Sequence, residues 1–167
     1  MDAKQRSPPG GPGGPLNGED LYRSLKDEIK THCLEVRALL LDPRDSAEAD
    51  DARLIVGEYL AYWEMLARLA GLVKNLMQPL ERDWIVRSMS EKRRDVVLVV
   101  NLHTVVWKRE ILEVGVESTE AATGSKIEKA MKTLQAQDED GSESDVHLVE
   151  RFVESLKSIG VGPGKEH

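Results

Sequence analysis

The sequence predicts an all-α fold: an antiparallel helical bundle of three long helices plus one or two shorter ones, with disordered N- and C-terminal ends. Three observations carry this. From Ile55 to Leu80 the residues Ile55, Tyr59, Tyr62, Leu66, Leu69, Val73, Leu76 and Leu80 follow one another at alternating steps of four and three. That spacing keeps one helical stripe facing a partner helix. Charged residues make up 32% of the chain, with both signs interspersed and a net charge of -7, a composition that suits long solvated helices. Aromatics are only 4% of the residues, so the expected core is aliphatic.

The chain opens on Ser7-Pro8-Pro9-Gly10-Gly11-Pro12-Gly13-Gly14-Pro15. This stretch has no apolar face to bury, and its glycines make ordering costly, so residues 1–17 read as a disordered tail. Pro9-x-x-Pro12 and Pro12-x-x-Pro15 have the spacing of an SH3-type ligand, but the glycines soften the polyproline helix such a ligand needs. Ser7-Pro8 fits a proline-directed kinase, on two residues alone.

A first helix follows, capped by Asn17 or Gly18, with Glu19 and Asp20 at its positive end. Leu21, Leu25, Ile29, His32, Val36 and Leu39 form its apolar line. It should stop near Leu41, because Pro43 disfavours the helical conformation at Asp42. The short link Leu41-Asp42-Pro43-Arg44-Asp45 would turn the chain antiparallel. The second helix, from near Ser46 to Gln78, carries the seam and should be about 50 Å long. Val56, Trp63, Ala70 and Met77 broaden one side of the seam, and Met65 and Leu72 the other, so it should touch more than one neighbour. Gly57 and Gly71 lie on one stripe of it. Either another backbone approaches there, or the stripe faces solvent.

Pro79 ends or kinks that helix. Trp84 should fold back on the core, with a surface anchor as its alternative role. Ser88-Met89-Ser90-Glu91 has capping-box spacing, and Val97, Val100, Thr104, Trp107, Ile111 and Val114 recur at helical intervals. A third helix over about Lys92 to Val114 is therefore expected. The β-branched run Val96 to Val100 leaves a hairpin at about 96–116, and so an α+β fold, as the alternative.

Residues 115–124 read as a break or frayed helix. Ser125 can cap a further helix carrying Ile127, Met131 and Leu134. Residues 137–145 form an acidic linker, within which Ser142 has an acid three residues on, as acidophilic kinases prefer. Asp145 can cap a final amphipathic helix over 146–160, with Val146, Val149, Phe152, Val153, Leu156 and Ile159 on one face and Gly160 as its C-terminal stop. Residues 161–167 are a disordered end. The domain plan is thus a bundle over 18–136 with this helix appended.

No catalytic, cofactor or metal site is expected. The histidines His32, His103, His147 and His167 fall on separate elements, and His32 beside Cys33 cannot chelate easily, because adjacent helical residues diverge. Cys33, the single cysteine, lies on an apolar shoulder with no base or oxyanion donors in view. His103, among Val99, Val100, Val106 and Trp107, reads as a core or partner-facing side chain. Lys92-Arg93-Arg94 and Lys108-Arg109 lack aromatic interleaving, so nucleic acid is not the expected main ligand. No apolar run is long enough to span a membrane, and no secretory signal opens the chain. The lone cysteine fits an intracellular, reducing compartment, whether cytoplasm or nucleus.

What remains is surplus apolar surface. The expected function is a non-catalytic helical scaffold or adaptor subunit of an intracellular complex, working through helix–helix packing with other proteins or with itself. Trp63, Trp84, Trp107, Val149, Phe152, Val153 and Leu156 are the candidate partner-binding residues. The alternative is a regulator that binds an enzyme or receptor in trans through its last helix and is released by phosphorylation of Ser142.

Overall fold

The structure is a computed structural model that describes residues 17–41, 46–113, 123–137 and 142–160. The Pro-rich tail, the link at 42–45, most of the break at 115–124, positions 138–141 of the acidic linker and the end at 161–167 lie outside the described residues. Every regular element among those described is helical. The hairpin alternative at 96–116 is therefore corrected over the part described.

Helix α1 spans Gly18–Leu40, and the Asn17 side chain accepts a hydrogen bond from the Glu19 amide at 3.0 Å, as its capping role requires. Helix α2 spans Ala49–Leu76. A bent segment, α3, covers 78–90. It consists of one α-turn at Gln78–Leu80 with Pro79 near its start, wider π-type turns at Glu81–Ile85, and a final α-turn at Val86–Ser90. Helix α4 begins at Val99–Trp107 and continues through π-type turns at Lys108–Glu113. Helix α5 is Thr123–Ala136 and α6 is Glu143–Ile159.

The third long helix starts later than its spacing predicts. Ser88 and Glu91 do not form a capping box. They lie at the close of α3, where the Glu91 and Lys92 amides bond back to the Arg87 and Met89 carbonyls, and Lys92 takes a left-handed φ of 65°. The chain then runs non-helically to Leu98, and two side chains receive amides at its end. The Val97 N–H donates to the Tyr22 hydroxyl at 3.0 Å, and the Val99 N–H to Glu81 Oε2 at 3.1 Å. Glu81 thereby caps α4 from outside the helix.

Helix α2 is the axis of the fold. It packs most extensively on α5, and also on α4 and α6, whereas α1 rests mainly on α4 and its continuation and meets α2 sparingly. The centre of the core is more aromatic than composition implies. Tyr59 lies 5.5 Å from Trp107 and 5.3 Å from Phe152, and Trp63 lies 5.5 Å from Trp107. The Trp107 indole N–H donates to the Tyr59 hydroxyl at 3.2 Å, so the buried polar tips satisfy each other. Few aromatics thus still dominate, because they meet at one crossing of three helices. Around them pack Ile55, Leu60, Ile85, Leu102, Ile111 and Leu134.

Two ion pairs seat α6 on α2, the first of them bidentate. Arg53 donates through Nε and Nη2 to the two oxygens of Asp145 at 2.7 and 2.9 Å, and Arg151 donates twice to Glu64 Oε1 at 3.1 and 2.7 Å. Asp145 is therefore a bridge and not the cap of α6. Glu143–Asp145, expected in the acidic linker, form the first turn of the helix, with Ser142 at the cap position. Gly160 ends it at φ 83°, the left-handed conformation that glycine adopts without strain. Cys33 is fully buried between α1 and its neighbours, and burial, reinforced by the Glu110 carboxylate, pushes its thiol up to about 12.

Candidate functional site

The seam on α2 is buried only along its first part. Ile55, Tyr59 and Leu66 are covered by other helices, but Leu69 is 46% exposed, Leu72 60% and Leu76 77%, with Met65 beside them at 43%. The seam, expected to face partner helices along its length, is left open at Leu69 and Leu76 and on its shoulder at Met65 and Leu72. The apolar pattern outruns the neighbours that cover it. Met65, Leu69, Leu72 and Leu76 keep the four–three spacing, so they form one stripe down one helical face. Isolated exposed leucines are ordinary, but a contiguous apolar stripe marks an interaction surface. Gly57 and Gly71 have nothing within 4 Å of where a Cβ would sit, which resolves their stripe as an open face and not a backbone contact.

Beside this stripe lies a groove. Because α1 and α2 barely meet, an opening of about 200 Å³ separates them. Leu25, Ile29, Leu66, Ala70, Val73 and Val99 wall it, and Leu69 belongs to both groove and stripe. Three polar side chains line it as well: Glu28, His32 and His103. His103 is only 8% exposed and stacks on Trp63 with ring centroids 5.5 Å apart and planes 19° apart. Its Nε2 reaches Thr104 Oγ1 at the edge of hydrogen-bond range, 3.5 Å. Its Nδ1 is buried, and so is Nε2 of His32. Burial lowers the His103 pKa. A hydrogen bond to the Val100 carbonyl one turn earlier opposes that shift. Burial thus favours the neutral form of the ring.

The residues singled out from sequence fall elsewhere. Trp107 is fully buried, and Trp63 and Phe152 are buried with it in the aromatic core, where they have no surface to offer a partner. Trp84 is half-buried and folds back as expected. It sits 5.4 Å from Tyr22, with the Arg93 guanidinium 5.6 Å from its ring, and so close to Gly18 that any side chain there would collide with it. On α6, Val149 and Leu156 are partly buried against the core, and Val153 is also partly buried. The structure thus gathers Trp63, Trp107 and Phe152 in one cluster, with the others around the molecule. The seam over Ile55 to Leu80 was expected to supply contacts, and its open part narrows these to Leu69 and Leu76, with Leu72 on its shoulder. Among the described residues no group of three or more His, Cys, Asp or Glu is placed to hold a metal ion. No described helix is long and apolar enough to cross a membrane.

The chain is thus of the all-helical class, with one long axial helix packed by the others and an apolar face left uncovered. The family described as the cullin alpha solenoid domain matches residues 14–165, and the chain belongs to the cullin family. Cullin-1 of Dictyostelium discoideum is 20% identical over 148 residues, covering 89% of this chain and 17% of that protein. Cullin-1 of Caenorhabditis elegans is 23% identical over 159 residues, covering 95% of this chain and 18% of that protein. The chain therefore spans less than a fifth of the length of these curated relatives. No solved structure matches it at a significant level.

Proposed function

We propose that this chain is a non-catalytic helical scaffold or adaptor segment that holds protein partners within an intracellular multiprotein complex. The single observation carrying the reading is the uncovered stripe Leu69–Leu72–Leu76 beside the α1–α2 groove. A helix laid along it would bury apolar side chains at the same spacing that α2 already uses internally. Membership of the cullin family supports the scaffold reading.

The competing regulator needs α6 free to bind in trans. Its apolar face is occupied by Tyr59 through Phe152, and two ion pairs hold it down, so nothing favours that reading. Candidate partner contacts accordingly move from the buried tryptophans to α2. The test is affinity purification of tagged wild type and Leu72→Glu from cells. The wild type should recover protein partners, or a second copy of itself, in stoichiometric amount. The variant should lose them while its thermal unfolding stays unchanged. Equal recovery by both would overturn the proposal.

A further inference from the structure

We infer that a basic face made by α1 and the turn that closes α3 binds a run of carboxylates on a partner protein, with Lys92 and Arg94 as its free cations. This face is separate from the α2 stripe, and the inference stands without the docking reading above.

One arginine assembles the face. Arg93 donates to Asp95 at 2.6 Å and to Glu19 at 3.2 Å, and its guanidinium lies 5.6 Å from the centre of the Trp84 ring. It thus ties the turn to the start of α1. On α1, Arg23 pairs with Glu19 at 3.6 Å. Arg93 above all, and Lys26 after it, hold the Asp95 carboxyl below the usual carboxylate range, so Lys26 also stands beside the turn. Lys30 follows one helical turn from Lys26, on the same side of α1. Glu19 and Asp95 are therefore engaged, whereas Lys30, Lys92 and Arg94 are exposed and have no acidic partner among the described residues. In a chain of net charge -7, these are cations left for an outside acid.

The backbone supplies an independent sign. The Lys92 N–H donates to the Met89 carbonyl at 3.0 Å and the Arg93 N–H to the Ser88 carbonyl at 3.2 Å. These are the two bonds of a Schellman close, and Lys92 fills its left-handed position at φ 65°, where glycine is the residue without strain. Closing α3 needs only the backbone there. What the lysine adds, at a cost in stability, is an exposed ammonium beside Arg94, and strained side chains of this kind gather where they are used. The Arg93 pairs fix the backbone of the turn in advance, which lowers the ordering cost of binding. Carboxylates fit better than a nucleic acid. The exposed acids Asp27 and Glu91 interrupt the face, which suits a few carboxylates in a row and not a long phosphate backbone. Tyr22 and Arg93 already lie against the Trp84 ring, which leaves little for a base to stack on.

An octaglutamate peptide serves as the probe, titrated into the whole chain and followed by two-dimensional NMR. The amides of residues 92–95 and those of α1 around Lys26 and Lys30 should shift, and binding should weaken as salt rises. Arg94→Gln should bind about threefold more weakly, the effect of one exposed ion pair. Lys92→Gly should lose about as much affinity while its urea midpoint rises, whereas a purely structural lysine would leave affinity alone. Lys129→Gln removes an exposed cation of α5 and should bind as the wild type does. A thymidine oligonucleotide of matching length should bind no more tightly than the peptide. No shifts at low salt, shifts confined to another surface, or equal losses in Lys129→Gln and Arg94→Gln would overturn the face. Tighter binding of the oligonucleotide would overturn the carboxylate ligand in favour of a nucleic acid. Unchanged affinity in Lys92→Gly would overturn the role given to its strained backbone.

Discussion

Lys92 occupies the left-handed region at φ 65° where α3 ends, a conformation that costs a residue with a Cβ roughly 1 kcal/mol. Lys92→Gly should raise stability by about that amount, read as a higher urea midpoint with an unchanged slope. At His103 burial lowers the folded pKa below the unfolded value. Its contribution to stability is therefore complete above the unfolded pKa of about 6.5 and is lost as pH falls through the folded value, because the unfolded chain then binds the extra proton. His103→Gln should flatten the decline in stability below about pH 6.5, measured as urea midpoints across that range. Asp145 follows the same sign at lower pH. Hydrogen bonds from Arg53 hold its carboxylate below the usual range, so the stability it adds is present near neutrality and disappears in acid. Asp145→Asn should lower the melting temperature at neutral pH and narrow its difference from wild type as the pH drops through the acid range.

At the scale of elements, the contrast within α2 is testable by paired substitutions. Leu60→Ala removes a fully buried side chain and should cost about 2–5 kcal/mol. Leu76→Glu, on the exposed half of the same helix, should change stability by no more than about 0.5 kcal/mol, both measured by chemical unfolding. The helix itself was legible in its four–three spacing, as were the cap at Asn17, the apolar face of α6 and the stop at Gly160. Which part of the seam is covered was not legible. That depends on where α5 and α6 come to lie, and periodicity describes a helix without describing its neighbours. The start of α4 was hidden for a related reason. The amides of Val97 and Val99 are answered by Tyr22 and Glu81, which stand 75 and 18 positions away. No local pattern encodes such partners. Trp63 and Trp107, expected as partner contacts, lie in the core, because an aromatic side chain is equally suited to an interface and to a core. Trp107 and Trp63 meet Tyr59 or each other only once three helices have crossed.

Taken whole, the molecule has a tightly joined body of α2, α4, α5 and α6, and an α1 that leans on α4 while standing off from α2. The α1–α2 groove is the gap this arrangement leaves. On α1, Cys33 is fully buried, and its thiol is pushed up to about 12. A thiol so placed reacts only as the thiolate and only when solvent reaches it. Alkylating reagents should therefore ignore the native protein and modify it at the rate at which α1 lifts away. One sulfur atom then acts as a clock for the opening of its helix. Its ticking should slow when something fills the space between the first two helices, with no label added and no partner identified beforehand.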